Sequence, residues 1–500
     1  MTKEGENSII ENMIIGFNEE KYIKLQSEKI LERARKFKKL YLEFGGKLFG
    51  DYNAARAIPG FGPDTKVKML MSIKEKCEVI ICIDAGDIGV GKIQSNSGLI
   101  YENEVLRLKG KFEEAEIKVA GVAINRFDNQ QAALAYKRRL ENLNVPVFVF
   151  NKIEGYPDNI DNVVSDKGYG SHPYIETTKP IIIVTSPGAK SGKMGVSLSL
   201  LYNEIKRGNK SAGYAKFETL PVWNLPLKHP LNIEYEAATL NVADKNMIDP
   251  FHLEKYNVVA VSYNRDIEAF PLLKQIFHKM YGNGAIYHSP TEMGVNMIGD
   301  CIENDEVVSR ASKEEILRRY YEALVDAKTG KLTNVGVNKI NYLMSQAGVG
   351  KEDRKVAELA KEQQFDRGTH AAAMILKDGT ELNSGENGYL TASSALLLKA
   401  LQHKLGVKKE VRLLNPKIIE EVSKLKTDIL KDKEFMLTLS ETLIILTNSA
   451  GGSGYLSKKA IGHLIDLQGA EAHITYIITP EEKKIWQKLG VNVTMCATIK

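Results

Sequence analysis

Cysteine is scarce in this chain, and the scarcity excludes two structural devices. Of 500 residues only four are cysteine (Cys77, Cys82, Cys301 and Cys496), and no pair has CxxC spacing. Zinc-ligand frameworks and disulfide scaffolds are therefore not expected, and reduced thiols are. Long apolar runs are also missing: none approaches the ~20 residues of a membrane-spanning helix, so no membrane contact is expected. Charge of one sign is lacking too. The 68 Lys and Arg against 63 Asp and Glu leave +5, too weak over this length to imply nucleic acid. The densest basic run, ARKFKKL over Ala34–Leu40, closes a helix and reads as a solvated face. No repeat or low-complexity tract occurs. The start, MTKEGENS, has no apolar core, so no secretory signal is expected and the expected location is cytoplasmic.

What is present is the composition of a globular protein, 43% hydrophobic and 26% charged, long enough for several cores. After a charged amphipathic helix over residues 19–40, apolar strands alternate with helices. KLYLEF, CEVIICID, VAGVAINRF, VPVFVF, KPIIIVT, SAGYAKFETLPV and NVVAVSY read as strands, and continuous apolar strands between helices are those of a parallel sheet covered on both faces. Residues 1–302 are expected to be a doubly wound α/β domain. Residues 303–365 read as a helical segment, with a Ser-x-x-Glu capping box opening a helix at Ser312. Residues 366–500 return to α/β, with a hairpin turning at Asp378-Gly379.

The stretch that organises the chain is KPIIIVTSPGAKSGKMGVSLSLLYNEIKRG, Lys179–Gly208. Strand, small-residue loop, lysine and helix in that order form a phosphate cradle, because loop and helix N–H groups face an anion and the lysine adds charge. Gly188, Gly192 and Lys193 fit GxxxxGK[ST]; Pro187 and Met194 stand where Gly and Ser/Thr belong, and Ser191 and Ser197 are the nearest hydroxyls. The bland reading is an ordinary strand-to-helix turn with a solvated lysine.

Ligands of parallel sheets sit at the strands' carboxyl ends. That rule selects Asp84, Asp87, Asn125, Arg126, Asp128, Lys216 and Glu218, each of which taken alone is as well explained as a turn or cap residue. The run Pro221–His252, with Trp223, His229, Tyr235, Asp249 and His252, reads as a long loop covering a substrate. The loop Ser165–Thr178 and the stretch Ser289–Cys301, which holds Glu292, Asn296 and Asp300, are further candidates.

Several long blocks carry a resemblance. YLEFGGKLFGDYNAARAIPGF, SDKGYGSHPYIETT, GYAKFETLPVWNLPLKHPLNIEYEAAT, NMIDPFHLEKY and SPTEMGVNMIGDCI resemble the bacterial family catalogued as domain of unknown function 1846, along essentially the whole chain. That family brings no assigned reaction with it. TSPGAKSGKM followed by GYAKFETLP is similar to the dethiobiotin-synthetase branch of P-loop enzymes, which implies nucleotide-binding roles for Lys193 and Lys216. AAAMILKDGTELNSG followed by ASSALLLKAL looks like the opening of a cytidine-deaminase-like fold. Ser393, Ser394 and Ala395 stand where that family has Cys-Ala-Glu, and no PCxxC follows, so no zinc is expected.

The functional expectation is an enzyme of the phosphoryl-transfer or ATP-dependent ligase type. Gly188, Ser191, Gly192 and Lys193 would hold ATP with Mg²⁺ or a phosphorylated small molecule, Lys216 would stabilise transferring charge, and Glu218 or Asp249 would hold metal. The alternative is a non-catalytic ligand-binding or scaffold protein with degenerate sites. A third reading is a lyase or hydrolase using His229 and His252 as acid and base. A homo-oligomer is expected.

Overall fold

The computed structural model describes residues 15–94, 97–282, 286–408, 410–432, 435–451 and 454–498. Apolar runs become buried strands. β1 (Lys39–Phe44), β2 (Cys77–Asp84), β3 (Val119–Phe127), β4 (Val147–Asn151), β5 (Ile181–Thr185) and β6 (Ala212–Phe217) form one parallel sheet. Their order is β4-β3-β2-β5-β1-β6. Because side chains alternate along a strand, Val79, Ile81 and Ile83 of β2 enter one core while Ile80 and Cys82 enter another. The first core takes in helices Glu19–Arg35, Thr65–Met71, Tyr101–Glu114 and Gln131–Asn142. The second takes in Lys193–Lys206 and Asn264–Tyr281. Helices cover both faces, so the strands need no polar side.

The strand order positions the site. From β2 the chain moves outward to β3, and from β5 it moves the other way to β6. β2 and β5 are neighbours, so the connections diverge between them, and a parallel sheet opens its crevice at such a switch point, beyond the carboxyl ends.

Three local expectations are corrected. The run Pro221–His252 is no loop. It contains helix Pro230–Ala238, strand β7 (Asn246–Ile248) and the start of helix Pro250–Tyr256. Both helices begin with proline after a capping side chain, His229 and Asp249. The X-Pro pairs that suggest irregular chain are here helix starts, since proline at the first helical position lacks only an N–H that would be unpaired anyway. NVVAVSY yields the short strand β8 (Val261–Tyr263), which pairs antiparallel with β7 and stays outside the six-stranded sheet. The helix expected from Ser312 begins at Asp305. Asn304 caps it, accepting from Val307 N at 3.2 Å, while Ser312 is fully buried and donates to the Ala57 carbonyl at 3.2 Å.

The chain divides into compact units Met1–Glu315 and Ile316–Lys500. In the second unit β9 (Ala371–Ile375), β10 (Glu381–Gly385), β11 (Glu471–Ile474) and β12 (Asn492–Met495) form a sheet ordered β10-β9-β11-β12. β9 runs antiparallel to both neighbours, and β11 and β12 are parallel. The hairpin turns at Gly379, whose φ of +82° suits glycine. One face of this sheet packs on helix Ala392–Lys404 through Leu396, Leu397 and Leu401, and the other meets Val356 and Ala360 of helix Lys355–Arg367. Among the described residues no helix is long and apolar enough to cross a membrane.

Candidate functional site

Beyond β5 the chain turns through Ser186–Gly192 into helix Lys193–Lys206. Gly192 has a φ of +80°, and a Cβ there would lie 3.0 Å from Asn125 Nδ2. Only glycine takes both the left-handed backbone and the close approach. Asn125 donates to the Ser191 carbonyl at 2.8 Å, and Arg126, itself paired with Asp84, donates to the Lys190 carbonyl. The ends of β2 and β3 therefore brace the loop by its carbonyls, which leaves its N–H groups facing away. Among the described residues no acceptor takes the backbone N–H of any residue from Gly188 to Gly195. The Lys193 ammonium lies 3.3 Å from Ser186 Oγ, which donates to the Gly188 carbonyl. Gly188 rests against Tyr101, whose hydroxyl would be 2.1 Å from an added Cβ. Ser191 Oγ is buried and makes no hydrogen bond among the described residues. Met194 packs into the apolar core beneath the helix, and the Ser197 hydroxyl returns to the Lys193 carbonyl at 2.9 Å.

At the end of β6, Lys216 and Glu218 meet Tyr263 of β8, and Lys216 also meets Asp266 of the helix that follows it. The buried Lys216 ammonium donates to the Tyr263 hydroxyl at 2.8 Å and pairs with Asp266, with Glu218 Oε1 at 3.7 Å. Tyr263 donates in turn to Glu218 at 3.1 Å. Burial alone would discharge this lysine, but Asp266, Glu218 and Glu43 outweigh it and hold the ammonium well above the ordinary lysine value. Burial pushes the Glu218 carboxyl up; Lys216 and Lys193 pull it down, and Asp266 and Glu43 push it further up. The influence of Lys193 on Glu218 links the loop to this cluster. Gly45, just beyond β1, makes room for the carboxylate, since a Cβ there would lie 2.0 Å from Glu218 Oε2.

The remaining candidates lie in other contacts. His229 accepts from Leu231 N through Nδ1 at 3.1 Å and meets Asp305 through Nε2 at 2.8 Å. Asp249 accepts from Phe251 and His252 N–H at 3.0 Å with one oxygen and from Thr291 with the other. His252 Nδ1 meets Ser289 Oγ at 2.9 Å, and burial lowers its imidazole value despite Asp249 and Glu292. Ser393 takes a hydrogen bond from Trp486 Nε1 at 3.0 Å, and Ser394 donates to the Leu437 carbonyl at 2.9 Å. No contact among the described residues joins His229, Asp249 or His252 to Lys193, Lys216 or Glu218.

Sequence reasoning missed Glu43, Tyr263 and Asp266. Each had a signal. Glu43 is a lone charge inside the apolar run LYLEF, where it accepts from Tyr214 at 2.6 Å. Tyr263 and Asp266 close the run NVVAVSYNRD, polar residues directly after an apolar stretch.

Two family models match the chain. Domain of unknown function DUF1846, N-terminal, covers residues 15–348, and its C-terminal counterpart covers residues 352–498. A UPF0371 protein of Fusobacterium nucleatum is 44% identical over 494 residues, spanning 96% of this chain and 97% of its own. UPF0371 proteins of Clostridium botulinum and Clostridium tetani are each 44% identical over 490 residues, with the same coverage. With family models spanning both units and relatives matched nearly end to end, the chain belongs to the DUF1846 (UPF0371) family.

Proposed function

We propose that the carboxyl edge of the six-stranded sheet binds the phosphate of a nucleotide or phosphorylated small molecule, and that the protein transfers a phosphoryl group or drives a ligation with it. The observation that carries this reading is the run of backbone N–H groups from Gly188 to Gly195 without internal acceptors. It lies at the N-terminus of a 14-residue helix, where the helix dipole favours an anion. The fit is that of a P-loop-like cradle, with Lys193 as its point charge. Lys216 acts as a fixed cation behind the site, and Glu218 is the titratable group facing the bound anion. Of the expected ATP and Mg²⁺, the phosphate has partners here. Met194 stands where the usual Mg²⁺-binding hydroxyl would be, and no step is routed through a metal.

A second reading, a non-catalytic ligand-binding protein, draws on the Lys216 cluster, where Asp266 and Glu218 already neutralise the lysine. It also draws on the C-terminal unit. Its hairpin and following helix suit a cytidine-deaminase-like fold, in which the hydroxyls of Ser393 and Ser394 are tied into packing. Isothermal titration with ATP, GTP and inorganic phosphate, with and without Mg²⁺, separates the two. Binding by the wild type that Lys193→Ala abolishes, accompanied by turnover, supports the enzyme. The same binding without turnover supports the second reading. No binding at millimolar concentration overturns the enzyme reading.

A further inference from the structure

The C-terminal unit holds a set of side chains that the phosphate reading does not use. His473 on β11 is fully buried, and its Nε2 lies 3.3 Å from Cys496 Sγ, just past β12. Its Nδ1 lies 2.9 Å from Thr494 Oγ1. The surroundings of that hydroxyl fix the imidazole tautomer. Arg354 Nε–H donates to Thr494 Oγ1 at 2.9 Å, and the threonine's one proton goes to the Ala472 carbonyl at 3.2 Å. Thr494 Oγ1 therefore accepts from His473, which places the imidazole proton on Nδ1 and leaves the Nε2 lone pair facing the thiol. Nucleophile, base and orienting group stand in the order that activates a thiol or hydroxyl in acyl transfer. Cys77, Cys82 and Cys301 are buried, whereas Cys496 is partly exposed.

We infer that Cys496 is a nucleophile for activated acyl groups (esters, thioesters or acyl phosphates), with His473 as its base and Thr494 as the positioning residue. Cys496 Sγ attacks the acyl carbon as its proton passes to His473 Nε2. The S–C bond forms, the bond from the acyl carbon to the leaving group breaks, and the proton leaves with that group. Lys361 supplies positive charge nearby. Its ammonium is 3.4 Å from the Tyr321 hydroxyl, and the Tyr321 ring meets the His473 ring edge-on at 4.7 Å between centroids. Glu358 pairs with that ammonium at 2.6 Å, so the charge Lys361 brings is partly neutralised. Burial raises the thiol, against the pull of Lys361, and lowers the imidazole well below its usual value. The resting pair is thus neutral, and proton transfer accompanies attack.

The test uses the full chain and p-nitrophenyl acetate, following p-nitrophenolate release and locating the acetyl group by peptide mass mapping. The expected result is one acetyl per chain on Cys496, formed faster in the folded protein than in the urea-unfolded one. Cys496→Ala abolishes it, and His473→Gln slows it by roughly 100-fold, the scale of general-base assistance. A thiol that is merely exposed reacts no faster folded than unfolded, because burial raises its value. That result, or acetylation reaching Cys301 or lysines before Cys496, overturns the inference. Should His473→Gln lose its fold, Thr494→Val and the folded-to-unfolded ratio of the wild type decide. An unchanged rate in a folded Thr494→Val chain removes the positioning role, and a ratio at or below one removes the nucleophile.

Discussion

In the six-stranded sheet every strand runs the same way, so the polar side chains that end each strand gather along one edge. Asp84, Asn125, Arg126, Lys216 and Glu218 all arrive there for that reason. In the four-stranded sheet β9 runs against its neighbours, so no edge collects the strand ends. A polar set lies instead on one face, where Thr494 and Glu471 meet Arg354 and His473 meets Thr494. The first arrangement gathers charges that are largely buried and paired with one another, Lys216 with Asp266 and Arg126 with Asp84. The second encloses a cation, Arg354, that is 1% exposed and depends on its neighbours for solvation.

The sharpest test of this contrast removes the enclosed cation. Arg354→Met is expected to destabilise the C-terminal unit by roughly 3–5 kcal/mol, as breaking a buried pair does. The two tryptophans make it measurable, since Trp223 lies in one unit and Trp486 in the other. In a Trp223→Phe background, urea unfolding followed by Trp486 fluorescence reports the loss, and an unchanged midpoint would show the face to be no more dependent on pairing than the edge. At the edge, Lys193→Ala is expected to cost about 1.5–3 kcal/mol of phosphate affinity, the range of a charge-assisted hydrogen bond, with the unfolding midpoint held. Gly192→Ala should cost about 1–2 kcal/mol of stability through its left-handed backbone, and titration calorimetry should show weakened binding as well.

Protons sharpen the comparison further. The raised Glu218 carboxyl feels the charge of Lys193, so if it also feels the anion, binding should strengthen as pH falls through its folded value and should take up a proton. Calorimetry in buffers of different ionisation heat measures that uptake, and none would remove Glu218 from the site. Burial lowers His172 in the first unit and His473, more strongly, in the second. The unfolded chain binds protons below about pH 6.5, where these folded imidazoles stay neutral. The contribution of these histidines is therefore full above that pH and is lost as pH falls toward the folded values, the loss extending further down in pH in the C-terminal unit. His473→Gln should flatten the Trp486 profile.

The edge was largely legible in the sequence and the face was not. Apolar runs gave the six parallel strands, and their last residues gave Lys216 and Glu218, because a parallel sheet converts position along a strand into position in space. The partners of Lys216 lie far away in the chain, Asp266 by 50 residues and Glu43 by 173, and no local pattern records such pairing. On the C-terminal face, His473 and Thr494 read only as polar residues in short strands, since their meaning depends on register, with His473 opposite Thr494. Periodicity cannot supply that register.

Gly45 carries a consequence for how this sequence can change. A methyl group there would occupy the space of the Glu218 carboxylate, although the two residues lie on different strands' ends with 172 residues between them. Alanine at 45 would push the Glu218 carboxylate aside, away from the Tyr263 hydroxyl that donates to it. The pair should be non-additive, Gly45→Ala costing more with glutamate at 218 than once Glu218→Ser has emptied the space. Two residues far apart in the chain are thus coupled through one shared volume.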